Sequence, residues 1–234
     1  MTEGNIKAVL FDFDGVLVNS EIIALAELRD CLAGYGIRLG WDELIDTFLG
    51  ASFEDIQDYV ERETGTPPGP SFRESWHARL FARYQRGLKV IPGALELLDQ
   101  LDARKVAYCV ASGGSYKRLN FALDVTGLKG RFHGRAFSAD SVARGKPEPD
   151  LFLYAVEQLG VDAQNCLVIE DAVAGVRAAT AAGIRALGFV GGSHLAERRA
   201  VHGQQFRAAG AIAVIEDLRQ TLAFIDDPAA AISS

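Results

Sequence analysis

Short apolar runs recur along the chain, and most are followed by stretches whose apolar residues return every three or four positions. Ile6–Phe11 (Ile-Lys-Ala-Val-Leu-Phe), Val106–Ala111, Cys166–Ile169, Ala186–Val190 and Ala211–Ile215 read as buried strands. Between them, Ala94–Leu101 carries Leu95, Leu98 and Leu101 at three-residue steps, and Leu151–Leu159 places Leu151, Tyr154, Ala155 and Leu159 on one helical face. Strands alternating with helices predict an α/β fold with a mostly parallel sheet and helices on both sides. Right-handed crossovers then bring the C-terminal ends of the strands to one edge, where open α/β sheets bind ligands.

One segment departs from this rhythm. From Ile22 to Leu88 the pattern predicts helices alone: Ile22–Ala33, Trp41–Phe48, Phe53–Thr64 and Ser71–Arg86, separated by Gly34, Gly40, Gly50 and the cluster Thr64–Ser71. The expected organisation is an α/β core formed by residues 1–17 and 88–234, with residues 18–87 inserted as a helical module after the first strand. An insertion there is placed to cover whatever the sheet edge binds.

Charge and composition narrow the picture. Twenty-four basic against thirty-one acidic residues give a net charge of −7, which argues against broad binding to nucleic acid or an anionic membrane surface. No apolar run approaches the roughly twenty residues needed to span a bilayer. The first residues, Met1-Thr2-Glu3-Gly4-Asn5, lack the basic and apolar regions of a secretory leader. Cys31, Cys109 and Cys166 are far apart and form no CxxC pair, so they are expected as reduced core thiols and the chain as a cytoplasmic protein. Oligomeric state is left open, with a monomer compatible.

The candidate chemistry lies at strand ends. The first strand runs into Asp12-Phe13-Asp14-Gly15, and the strand at Cys166–Ile169 runs into Glu170-Asp171. Carboxylates crowded at a buried edge repel one another and lose hydration, and a divalent cation with oxygen ligands compensates them. Ser112-Gly113-Gly114-Ser115 follows the strand at Val106–Ala111, and its amides with the Ser112 hydroxyl suit a phosphate at the next helix start. Lys146 precedes Pro147 at another predicted helix start and supplies a cation. Taken singly, each also fits a turn, a helix cap or a solvated lysine. Taken together on one sheet edge, they supply what phosphoryl transfer needs: a nucleophile, a proton shuttle, metal ligands, a hydroxyl and a cation.

In this order, Asp12-Phe13-Asp14-Gly15-Val16, Ser112, Lys146-Pro147 and Glu170-Asp171 resemble the four motifs of the haloacid dehalogenase superfamily, in the subgroup with a helical cap after the first strand. The resemblance implies a Rossmann-like parallel sheet core with an inserted all-helical cap domain. It further implies that Asp12 attacks phosphorus and that Asp14 is the general acid and then base. Ser112, with Gly113, and Lys146 would hold phosphoryl oxygens. Mg²⁺ would be bound by Asp12, the Asp14 carbonyl, Asp171 and Glu170. The expected substrate is a small phosphorylated metabolite, a sugar phosphate or similar.

Two other readings stand beside a phosphatase: a sugar phosphomutase of the β-phosphoglucomutase type, and a catalytically idle binding protein of the same fold. Mutases of this type carry an Arg in the cap loop and a His in the first cap helix, where this chain has Phe53 and Ala24. Substrate contacts are expected from Asn19, Ser20 and Glu21, which also fit a helix cap, and from Gly50 and Ser52 in the cap loop. Arg79, Arg83 and Arg86 read mainly as a solvated stripe, Trp41 and Trp76 as packing anchors, and Gly191-Gly192-Ser193-His194, which follows a strand, as a surface loop or, alternatively, a lining of the active-site edge.

Overall fold

The structure, a computed structural model, describes residues 5–226. Six parallel strands form one sheet in the order β3-β2-β1-β4-β5-β6. They are β1 (Ala8–Phe11), β2 (Ala107–Ser112), β3 (Ala136–Ser138), β4 (Cys166–Glu170), β5 (Arg185–Phe189) and β6 (Ala213–Ile215). Four residues of β1 and five of β4 are buried throughout, which is why their sequences read as unbroken apolar runs with no alternation. Five of the strands were expected from those runs. The edge strand β3 was not, because Ala-Phe-Ser is too short to carry a period.

The chain leaves β1 toward β2 and β3 on one side, then crosses to β4, β5 and β6 on the other. The order therefore reverses between β1 and β4, whose register pairs Phe11 with Ile169. Just beyond that pair the two neighbouring strands release the acidic segments Asp12–Asp14 and Glu170–Asp171 into the crevice where such sheets bind ligands. Flanking the sheet are α5 (Ala94–Arg104), α6 (Tyr116–Val125), α7 (Asp150–Leu159), α8 (Val173–Ala181), α9 (Arg199–Ala208) and α10 (Thr221–Asp226).

Between β1 and α5 the chain forms α1 (Glu21–Ala33), α2 (Trp41–Phe48), α3 (Phe53–Thr64) and α4 (Ser71–Gly87). Leu25, Leu28 and Leu32 of α1 are buried with Phe72, Trp76, Leu80 and Tyr84 of α4, so the two helices share one apolar seam. The two chain segments joining these helices to the sheet domain run side by side, with Asn19 N–H donating to Lys89 O at 2.9 Å and Ile91 N–H to Leu17 O at 2.9 Å. Further out, the rings of Phe81 (α4) and Phe121 (α6) stack with centroids 4.5 Å apart, seating the helices over the sheet edge.

Candidate active site

The floor of the site is built by β1 and β4. Asp12 N–H donates to Ile169 O at 3.0 Å, which extends the β1–β4 ladder by one residue and aims the chain along the edge. The turn after Asp14 needs glycine. Gly15 has φ +78°, and a Cβ there would stand 1.8 Å from Asp171 Oδ2. Asp12, Asp14, Glu170 and Asp171 are all buried, at 7%, 7%, 1% and 2% exposure.

Lys146 enters from the loop before α7, with a cis peptide bond to Pro147. Its Nζ donates to Asp12 Oδ1 at 2.6 Å, to the Ala111 carbonyl at 2.8 Å and to Glu170 Oε1. Burial raises the Asp12 carboxyl to about 7 against the opposing pull of Lys146, with Glu170 and Asp14 adding repulsion. Burial likewise raises Glu170, again opposed by Lys146, and lifts Asp171 well above the usual carboxylate range. Burial alone would lower the Lys146 ammonium, but Asp12 and Glu170 outweigh it and raise it.

One ammonium does not neutralise three acids. Asp12, Glu170 and Asp171 each offer an oxygen, and these oxygens lie within 4.8 Å of one another. Asp171 Oδ2 is buried without a hydrogen-bond partner; His194 Nε2 lies 3.0 Å away but not along a hydrogen-bonding direction. A buried oxygen left unpaired is costly unless something absent completes it. A set of hard carboxylate oxygens fits a divalent cation of the Mg²⁺ type.

Asp14 is held separately. Its Oδ1 accepts from the Ser20 hydroxyl at 2.6 Å and from Arg118 Nη2 at 2.8 Å, while Oδ2 lies 3.4 Å from the Ser112 hydroxyl. Arg118 also donates to Glu21 Oε1 at 3.0 Å and to the Tyr84 hydroxyl at 3.3 Å. Burial raises the Glu21 carboxyl and Arg118 opposes it. Ser112 has no exposed surface, and its oxygen accepts from the Gly114 N–H at 3.0 Å, so the turn after β2 is locked by the hydroxyl itself. The next helix is capped by Ser115, not Ser112.

A cavity of about 350 Å³ opens above these groups. Asp12, Asp14, Lys146, Glu170 and Asp171 line its floor with Gly113 and Gly114; Leu25, Phe48, Phe53, Trp76 and His77 line it from the helices above. Gly50, Ser52 and Glu21 lie in its wall, with the Ser52 hydroxyl occupied in capping α3 through Asp55. Asn19, Ser20 and Ser112 are not among its lining residues. Asn19 Oδ1 accepts from the Ser193 hydroxyl at 2.6 Å, and Ser20 makes no helix-capping bond because its hydroxyl goes to Asp14.

Of the two readings for Gly191–His194, the surface loop does not hold for His194, which is buried against Asp171 at the active-site edge. Trp76 is a wall of the cavity as well as a packing residue. Arg79 and Arg83 turn to Glu27 and Arg86 to the Ala82 carbonyl, all outside the cavity. Arg118 was missed because it sits in α6 with no motif around it, and only the fold brings it to Asp14.

A family model described as haloacid dehalogenase-like hydrolase matches residues 6–183, and the chain belongs to that family. It is 30% identical over 190 residues to the 6-phosphogluconate phosphatase of Escherichia coli K12, covering 81% of this chain and 85% of that protein. It is 34% identical over 189 residues to SUPPRESSOR OF QUENCHING 1 of Arabidopsis thaliana, covering 79% of this chain but only 18% of that longer protein. A family hydrolase from Deinococcus radiodurans, solved with bound phosphate and sodium, superposes with a TM-score of 0.73 at 32% identity, covering 98% of this chain and 99% of that one. No described helix is long and apolar enough to cross a membrane.

Proposed function

We propose that this chain, a phosphatase of the haloacid dehalogenase-like family, hydrolyses a small phosphate monoester in the cytoplasm through an aspartyl-phosphate on Asp12, with Mg²⁺ as cofactor. The helices α1–α4 act as a cap, residues 18–87, over a core of residues 1–17 and 88–234. The observation that carries the reading is the pairing of a cavity-lining Asp12 with Lys146 at 2.6 Å, beside two further acids and next to an independently anchored Asp14. The phosphate in the Deinococcus relative's structure supports the same reading by likeness.

In this mechanism an Asp12 oxygen attacks phosphorus while the bond to the leaving oxygen breaks. Asp14 gives its proton to that oxygen, and the alcohol departs. Asp14 then takes a proton from water as the water attacks phosphorus, the Asp12–phosphorus bond breaks, and inorganic phosphate leaves. Lys146, the Ser112 hydroxyl and the amides of Gly113 and Gly114 hold the non-bridging oxygens. Asp12, Asp171, the Asp14 carbonyl and Glu170 would hold Mg²⁺, whose positive charge would favour ionised Asp12 and offset the charge of the phosphoryl group.

Hydrolysis is favoured over transfer back to a sugar by two apolar residues in the cavity wall, Phe53 and Ala24, where the mutases carry their Arg and His. A sugar-acid phosphate and hexitol phosphates head the substrates to test, following the relatives' names. The test is phosphate release by wild type and Asp12→Asn. Wild type with Mg²⁺ is expected to release phosphate, EDTA to stop it, and Asp12→Asn to release essentially none. Hydrolysis by Asp12→Asn near the wild-type rate would overturn the covalent mechanism, no release from any monoester would favour an idle binding protein, and activation by a sugar bisphosphate would favour the mutase.

A further inference from the structure

Arg118 belongs to none of the four motifs, yet it touches the acid–base carboxylate and both ends of the helical segment above it. Its Nη2 donates to Asp14 Oδ1 at 2.8 Å and to Glu21 Oε1, in the first turn of α1, at 3.0 Å. Its Nε donates to the hydroxyl of Tyr84, in the last turn of α4, at 3.3 Å. All three partners are buried or nearly so, and the Arg118 side chain is itself 13% exposed. An arginine fork that satisfies two acids and a phenol in a dry place fixes orientation as well as charge, because its donors are planar and rigid.

From this geometry we infer that Arg118 is the positioning residue of the acid–base step: with Ser20 it engages Oδ1 of Asp14 as an acceptor and leaves Oδ2 as the oxygen that carries the transferable proton. Oδ1 already accepts two donors, the Ser20 hydroxyl at 2.6 Å and the Arg118 guanidinium. A proton placed there would displace one of them. Oδ2 accepts instead a single long bond, from the Ser112 hydroxyl at 3.4 Å, which a hydroxyl can give up by rotating, and it lies next to Gly114 in the cavity wall. In the step served, the phosphorus–oxygen bond of the monoester breaks, Asp12 takes the phosphoryl group, and the proton on Asp14 Oδ2 passes to the departing oxygen. Since Glu21 and Tyr84 hold Arg118 from the helical segment, the proton is aligned only when α1 and α4 are seated on the sheet domain. This inference rests on Asp14 being the general acid of the proposed mechanism.

Leaving-group dependence tests it. A proton matters for an alkyl phosphate, whose alkoxide is a poor leaving group, and little for p-nitrophenyl phosphate, whose phenolate leaves unaided. The parameter to read is kcat/KM, which ends at the first irreversible step and so excludes water attack. Arg118→Met is expected to lower kcat/KM for glycerol 2-phosphate at least 100-fold and for p-nitrophenyl phosphate less than 10-fold. Asp14→Asn should show the same split, and the double variant should fall no further on glycerol 2-phosphate than Asp14→Asn alone. Arg118→Lys and Tyr84→Phe, which keep the charge or remove one hydroxyl, should show the split at smaller size and decide the matter if Arg118→Met does not fold. Equal losses on both substrates in these variants, no loss on either, or multiplying losses in the double variant would overturn the inference. Asp14→Asn without the split would instead overturn the role of Asp14 itself, whatever Arg118 does.

Discussion

Alanine for Gly175 sets two effects of opposite sign against each other. Gly175 lies in the first turn of α8, and glycine inside a helix costs about 1 kcal/mol relative to alanine, so propensity alone predicts a more stable protein. The structure predicts the reverse. A Cβ at this position would lie 2.0 Å from the Glu170 carboxyl carbon and 2.0 Å from one of its oxygens. Glu170 is 1% exposed and held by Lys146 and by the Ala172 N–H at 3.3 Å. To make room it must turn away from Lys146, losing a charge-assisted bond of about 1.5–3 kcal/mol, and overpacking adds about 1–3 kcal/mol. The net expectation is destabilisation of about 1.5–5 kcal/mol, or a fall in Tm of at least about 3 °C for a chain of this size. Calorimetry in EDTA measures that fall. Because Glu170 is among the residues proposed to hold Mg²⁺, titration of the Mg²⁺ requirement for hydrolysis should show half-saturation raised about 10-fold or more. Gly87→Ala, at the end of α4 with nothing within 4 Å of its would-be Cβ, reports propensity alone and is expected to be neutral or slightly stabilising. A rise in Tm for Gly175→Ala with an unchanged Mg²⁺ requirement would refute the packing argument.

Further outcomes follow from the same geometry. Burial raises Asp12 from an ordinary 3.8 to about 7, so the folded metal-free protein binds more protons than the unfolded chain across that window. In EDTA, stability should therefore fall as pH rises from about 4 to 7, by up to about 1.4 kcal/mol per pH unit for one group. Glu170 and Asp171 are shifted the same way and deepen the fall. Mg²⁺ should flatten it, and a Tm–pH curve that is flat in EDTA would contradict the buried-acid account. Lys146→Met should lower kcat/KM by about 10²–10³-fold, since it removes the cation aimed at charge developing on the phosphoryl group; activity within threefold of wild type would exclude that role. Arg83→Ala should leave kcat/KM unchanged and shift stability by less than about 1 kcal/mol, because its partner Glu27 is 3.7 Å away and still paired with Arg79.

Much was legible before any coordinates. Buried parallel strands announce themselves as apolar runs, and five strands were expected within two residues of their observed ends, β1 and β6 each starting two residues later than expected. The acids, the Ser112 turn and Lys146 were legible because their chemistry is local: each follows a strand or opens a helix, and parallel topology brings such ends together. The helical segment was legible because it offers no strand-like run and its four helices are separated by glycine- and proline-bearing breaks.

Tertiary structure alone decided the rest. Arg118 stands 104 positions from Asp14 in sequence, in an ordinary amphipathic helix, and only the packing of α6 under the last turn of α4 makes it a partner of Asp14, Glu21 and Tyr84. Which way Ser20 and Asn19 turn was settled by neighbours the sequence does not display, Asp14 for one and Ser193 for the other. His194 appeared to sit in a polar loop and lies instead beside an unpaired oxygen of Asp171. Residue type and spacing report what a side chain can do and the period reports which face it takes; the partner it meets depends on where distant elements come to rest.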